Sequence, residues 1–213
     1  MSAQTDVVST RQRILNHAAR LFAEKGFTET TVRELAEAVG INAASLYNHF
    51  ASKNAILENI LADYSKLSTD SFNRRDVRGI LQANPNTEGI LTCLQLNFPQ
   101  EQADYLLRTL CVLLQEQFRN TTVRDYMSQH FILRAELNCR TIISTLIELG
   151  VLRADTDPDY WMKVSSSLFY AFSVRFMLGI GDNAPDYVGR DMSAMLRSTY
   201  ELLLQTCAVN TLA

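Results

Sequence analysis

Glycine and proline are scarce in this chain, eight and four among 213 residues. Turns are therefore few and elements long, and no segment alternates with the period of two that marks a strand. This excludes the β-rich classes and predicts an all-α protein. Cys93, Cys111, Cys139 and Cys207 stand far apart with no CxxC pair, which excludes a metal knuckle and a dithiol redox motif. Each lies in a helix-like apolar pattern and reads as a reduced core residue, with a redox sensor as the lesser alternative. The stretch MSAQTDVVST has no apolar signal core, and no run reaches the length of a membrane span. The most apolar stretch, SSSLFYAFSVRFMLGIG, is interrupted by Arg175. A cytoplasmic protein with no membrane partner is expected. Catalytic signatures are also missing: there is no GxSxG, no phosphate-binding glycine loop and no HExxH. His17, His49 and His130 lack metal-ligand spacing. No enzyme, metal or cofactor is expected.

What is present is globular in composition, 47% hydrophobic and 20% charged, which excludes a disordered chain. The formal net charge is −3. Within residues 1–66 seven basic residues (Arg11, Arg13, Arg20, Lys25, Arg33, Lys53, Lys66) balance seven acidic ones (Asp6, Glu24, Glu29, Glu34, Glu37, Glu58, Asp63). Charge alone therefore does not announce nucleic acid.

Helix signals divide the chain. Ser9-Thr10-Arg11-Gln12 fits a capping box, Ile14, Ala18, Leu21 and Phe22 recur at helical spacing, and Gly26 closes that helix. Thr31-Val32-Arg33-Glu34 is a second box. It opens a short helix with Val32, Leu35, Ala36 and Val39 on one face and Gly40 at its end. Asn42 caps a third short helix carrying Leu46 and Phe50, and Ser52 caps a fourth with Ile56, Leu57, Ile60, Leu61 and Tyr64 inside. Two short helices joined by a tight glycine turn form a helix-turn-helix. The predicted division is a helix-turn-helix domain over 1–67, a junction over 68–86, and a larger helical domain over 87–213. The junction contains Arg74, Arg75 and Arg78, a solvated face or, more weakly, a phosphate-facing one. Beyond it, helices are expected from Thr87 to about Phe98, after Pro99, from Thr122 to Gly150, from Asp157-Pro158 to Gly179, and from Pro185 onward.

The stretch INAASLYNHF concentrates unusual residues. At 100° per residue, Ala43, Leu46 and Phe50 fall together and face the core. Ala44 and Asn48 point away, flanked by Ser45 and Tyr47. Such a small polar face fits a major groove: Asn pairs with adenine edges and Ala touches a thymine methyl. Tyr47 and His49 can donate to phosphates. Lys53 adds a charge at the start of the fourth helix, and Thr31 offers an anion site at the start of the second. Asn42 and Arg33 complete the set. Each of these residues alone is equally well read as an exposed residue of a helical corner.

The run TTVRELAEAVGINAASLYNHFASKNAIL, preceded by ILNHAARLFAEKGF, resembles the DNA-binding signature of the TetR/AcrR family of transcriptional regulators. The resemblance covers about a third of the chain. It implies a homodimeric regulator, usually a repressor, released from a palindromic operator by a small molecule. It also implies that residues placed like Thr31, Ser45, Tyr47, His49 and Lys53 contact DNA. The sequence departs from the family where Asn42, Ala43 and Ala44 replace a commonly found glycine or lysine, which bears on base preference.

The resemblance implies that 1–67 is a DNA-binding domain and that 87–213 is an effector-binding and dimerisation domain, which pairs with a second copy and holds a ligand. Phe169, Phe172, Phe176, Met192, Met195, Leu196 and Tyr200 form apolar stripes on the last two helices. They suit an intramolecular core as well as a dimer interface, and the resemblance favours a four-helix interface. Candidates for an effector pocket among residues 87–178 are Leu91, Leu94, Leu107, Phe118, Phe131, Leu137, Trp161, Phe169 and Phe172, with plain core as the alternative for each. His130 and Arg134, one turn apart, and Arg175 read either as a surface or interface group or as an anion site for an acidic effector. The expected function is a ligand-responsive DNA-binding repressor. A helical protein–protein adaptor without sequence-specific DNA binding is the alternative.

Overall fold

A computed structural model describes residues 9–94, 100–178 and 187–209. The side chains of residues 100–101, 172, 175–178 and 187–193 lie outside that description. The described residues form helices α1 (Thr10–Lys25), α2 (Val32–Val39), α3 (Ala43–Tyr47), α4 (Lys53–Asn73), α5 (Val77–Ala83), α6 (Thr87–Leu94), α7 (Gln100–Glu116), α8 (Thr121–Tyr126), α9 (Leu133–Glu148), α10 (Pro158–Leu178) and α11 (Tyr187–Cys207). A π-helical stretch, Met127–Ile132, joins α8 to α9. Among the described residues there is no strand beyond an isolated bridge between Leu152 and Ala208. No helix there is long and apolar enough to cross a membrane. The fold is all-α.

Local chemistry explains most helix starts. The Thr31 hydroxyl accepts from the Glu34 amide (3.2 Å) while the Thr31 amide donates to the Glu34 carboxylate (2.8 Å), a complete capping box. Ser9 completes half of one: it accepts from the Gln12 amide at 3.2 Å, but the Gln12 side chain donates to Asn16 instead. Asn42, Ser52 and Asp157 cap as expected. At α6 the cap is Asn86, which accepts from the Gly89 amide, rather than Thr87. The helix expected from Thr122 is capped by Asn120. Gly40 ends α2 at φ 77°, with the Gly40 amide on Glu37 and the Ile41 amide on Ala36, the paired bonds of a Schellman end.

The chain forms two compact units, Met1–Leu67 with Phe98–Met127, and Ser68–Asn97 with Ser128–Ala213. In the first, Ile14, Ala18 and Phe22 of α1 are buried with Leu35, Leu46, Phe50, Ile56 and Ile60, and α7 packs along α1. In the second, Val77, Leu81, Ile90, Ile142, Ile143, Leu146, Trp161, Tyr200 and Leu203 form one core. This redraws the expected boundaries. Residues 68–86 are not a loose junction, because α4 continues to Asn73 and α5 buries Val77 and Leu81. Residues 98–127 pack with the first unit rather than with the rest of 87–213. The expected helix over 122–150 is instead three consecutive segments. Gly179 and Pro185, the expected end and start of the last two helices, lie outside the described residues.

Candidate nucleic-acid interface

The recognition segment is short and tightly held. α3 has five residues, and Asn48 follows as its cap with its amide on the Ala44 carbonyl. Leu46 and Phe50 are buried. Ala43, expected to face the core with them, is exposed, because helix geometry ends at Tyr47 and the wheel does not extend to Phe50. Ala44, Asn48, His49 and Arg33 are exposed, as is Tyr47 at 52%; Ser45 is half-buried. The Asn42 side chain accepts from the Ser45 amide at 2.7 Å, so its carbonyl oxygen serves the helix. Thr31 is exposed, with its hydroxyl tied into the Glu34 box.

Lys53 has a different occupation from the one expected. Its ammonium donates to the carbonyls of Phe27 (2.7 Å), Thr28 (3.2 Å) and Thr30 (2.8 Å). An ammonium has three donors, and all three are accounted for. The charge also lies 4.6 Å from the centre of the Phe27 ring.

Two arginines of α1, Arg13 and Arg11, act in the same way. Arg13 donates to the Val39 carbonyl at 2.5 Å, at the end of α2. Arg11 donates to the His49 carbonyl at 3.2 Å and to Asn59, and its guanidinium lies 4.3 Å over the Phe50 ring. Their position in the first turn of an amphipathic helix gave no sign of this. Glu116, also unforeseen, is buried and accepts from the Phe27 amide at 2.9 Å. Its partner is 89 residues away, beyond any local pattern.

The charge balance is thereby redistributed. Lys25 pairs with Glu34 at 2.7 Å. The hydrogen bond from Lys25, with those from Thr31, holds the Glu34 carboxyl down at about 2. Among the described residues of the first unit, Arg20, Arg33 and Lys66 are exposed and make no ion pair. His17 is held below its ordinary value by burial and then by Arg20 and Arg13.

Residues 14–60 match the family model described as bacterial regulatory proteins, tetR family. This segment, 47 of the 213 residues, is similar to the TetR family. It is 45% identical over 56 residues to the HTH-type transcriptional repressor KstR2 of Mycolicibacterium smegmatis, a match spanning 26% of this chain and 27% of that protein. The chain thus spans about a quarter of the length of the KstR2 relatives that it matches. The ketosteroid transcriptional regulator KstR2 of Mycobacterium tuberculosis has the same fold: TM-score 0.62, 22% identity, covering 96% of this chain and 98% of that one. AibR, solved in complex with isovaleryl coenzyme A and operator DNA, gives TM-score 0.63 at 16% identity over 90% and 98%.

Outside the matched segment, the described effector candidates fall in both units. Leu107 and Phe118 belong to the first unit and are exposed, Phe118 at 79%. There Phe118 borders an open groove of 490 Å³ with Glu24, Lys25, Glu116 and Arg119. Leu91 and Leu94 pack against the core of the second unit, and Trp161 is part of it. Leu137 and His130 are exposed and Arg134 half-buried. The π stretch intervenes between His130 and Arg134, so their spacing is not a plain α turn. Phe131 and Phe169 do meet, ring centres 5.7 Å apart.

The expected interface set changes as well. Tyr200 is 1% exposed, inside its own core, and Leu196 packs against that core, so neither presents a free side chain. Met195 is half-buried. The side chains of Phe172, Arg175, Phe176 and Met192 lie outside the described residues. Among the described side chains, the large apolar groups that α10 and α11 expose are Tyr160, Val174 and Leu202. Cys93, Cys111 and Cys139 are buried, and burial pushes each thiol up to about 11. These are inert core groups, not redox sensors.

Proposed function

We propose that the protein is a ligand-responsive transcriptional repressor in the cytoplasm, without catalytic activity, binding a palindromic operator as a homodimer and released by a small, mostly apolar effector. The observation that carries this reading is the exposed set of Ala44 and Tyr47 on α3 with Asn48 and His49 directly after it, seated over buried Leu46 and Phe50. Such a face reads base edges, Asn48 on adenine and Ala44 on a thymine methyl. Arg33, Thr31, Tyr47 and His49 lie against phosphates. The first unit is the DNA-binding part, and the effector binds in the second.

Dimerisation rests on α10 and α11. One five-residue helix reads too few bases for useful selectivity, and two-fold pairing doubles the site. The copy-to-copy face is the one bearing Val174, Met195 and Leu202, because the inward residues Tyr200 and Leu196 belong to the subunit core. For the effector, the Phe131–Phe169 pair marks an aromatic wall and Arg134 a group for an acidic substituent. AibR, with both ligand and DNA bound, supports a fold that accommodates both.

The test is selection from a pool of random duplexes. A regulator enriches an inverted repeat, whereas an adaptor gives no sequence-selective shift. On the enriched duplex, Asn48→Ala should lose ~1–3 kcal/mol and relax selectivity at one base pair per half-site. Unchanged selectivity in that variant would mean another docking of α3.

A further inference from the structure

We propose that Arg11, Arg13 and Lys53 are positioning residues for base reading, acting through the backbone of the helix-turn-helix and not through phosphates. The inference rests on the regulator reading above and assigns a role to three cations that a charge count would give to the DNA backbone.

The three cations hold the three backbone segments that set how α2 and α3 are presented. Lys53 of α4 ties down the loop before α2, through the carbonyls of Phe27, Thr28 and Thr30. Arg13 of α1 holds Val39, the last residue of α2. Arg11 of α1 holds His49, just past α3, and also reaches Asn59 of α4. Entry to the motif, the turn inside it and its exit are thus each fixed by a charge from a flanking helix. Both arginines sit where a cation meets carbonyls at a helix end, the favourable pole of the helix dipole.

Two of the cations are also stacked on rings of the same motif: Arg11 over Phe50 and Lys53 over Phe27. Both rings are buried. A cation placed between an aromatic face and a carbonyl is restricted from both sides. The Phe27 backbone is fixed at its other end too, because its amide donates to buried Glu116. These groups restrict the backbone on both sides of α3. The bonds of α3 itself cannot supply this, since a five-residue helix has little stability of its own.

A cation that contacts phosphate and one that positions the backbone leave different marks on DNA binding. Removing a phosphate contact weakens selected and random duplexes alike and lowers the salt slope by about one per site. Removing a positioning residue misplaces Asn48 and its neighbours, so the selected duplex suffers and the salt slope stays.

The experiment measures affinity for a duplex enriched from a random pool by the wild-type protein, and for random duplex, at several KCl concentrations. The variants are Arg11→Ala, Arg13→Ala, Arg13→Lys and Lys53→Ala, each at temperatures below its own melting transition. Each Ala variant is expected to narrow the selected-to-random affinity ratio by roughly tenfold, as the loss of a base contact does, at an unchanged salt slope. Arg13→Lys, which keeps a donor for the Val39 carbonyl, recovers part of the ratio. A lowered slope with an unchanged ratio assigns the cations to phosphates and overturns the proposal. So does a folded variant that alters neither. If the wild-type protein enriches no sequence at all, the regulator reading itself fails, which is a distinct result.

Discussion

The two units use their cations differently. In the first, Arg11, Arg13 and Lys53 turn onto backbone carbonyls around α2 and α3. In the second, Arg75 and Arg153 reach single carbonyls far apart in sequence, those of Cys93 and Thr206, while Arg78 pairs with Glu148, Arg140 with Asp159 and Arg197 with Glu88 at the surface. Exposed pairs contribute little, since both partners are well solvated apart and lose side-chain entropy together. A cation that satisfies several carbonyls fixes backbone conformation. In the first unit such cations converge on the loops of one motif, while in the second they hold single carbonyls and the other arginines form solvated pairs.

The comparison can be pressed hardest through the core on which both arrangements depend. Leu46 is fully buried beneath the reading face, and Leu46→Ala should cost ~2–5 kcal/mol, depending on how far the cavity collapses. Urea unfolding followed by circular dichroism measures this. A loss under one kcal/mol would mean that α3 is not seated as described. Next in size is Lys53→Ala, which leaves three carbonyls without their shared donor and should cost about 1–3 kcal/mol. The same titration reads it, and a neutral result would place the ammonium in solvent.

The surface pairs of the second unit should respond far less. A double-mutant cycle on Arg78 and Glu148, both more than half exposed, should return a coupling of about 0–1 kcal/mol that vanishes in high salt. A coupling as large as the Lys53 effect would erase the distinction between the units.

The smallest effect expected is a pH dependence in the first unit. Burial and two nearby arginines keep His17 below its ordinary value of 6.5. The folded state then binds fewer protons than the unfolded one in that range. Its contribution is complete above pH 6.5 and is lost as pH falls through the range below. The urea midpoint should decline slightly from pH 7 to pH 5, and His17→Gln should flatten that decline. An unchanged slope in the variant would assign the dependence to another group.

How much the sequence disclosed depended on the range of the interaction. Capping residues act over three positions, so Thr31, Asn42, Ser52 and Asp157 were legible and their helices start as expected. The buried face of α3 was legible through Leu46 and Phe50, because helical spacing is a local signal. Lys53 was noticed, but its partners lie 23–26 residues back, and nothing in its neighbourhood distinguishes a carbonyl clasp from a phosphate contact. Glu116 was invisible for the same reason at greater distance. In the second unit, apolar spacing could not separate core from interface. Tyr200 and Leu196 carry the same pattern that an exposed stripe would, and burial is decided by which helices pack on α11. Leu107 and Phe118 were grouped with the effector candidates because the boundary was drawn along the chain, whereas the helix that bears Leu107 packs back onto α1.

The π-helical stretch at Met127–Ile132 has a consequence for descent. Its hydrogen bonds skip one residue further than those of an α-helix, so it accommodates an extra residue without opening a loop. Two relatives could differ in length at this point and still superpose on both sides, α8 before it and α9 after it. An alignment would then need a gap in the middle of a helix, where gaps are usually penalised most. The segment is thus a slip joint at which a lineage can change length by one residue while the helices on either side keep their own register.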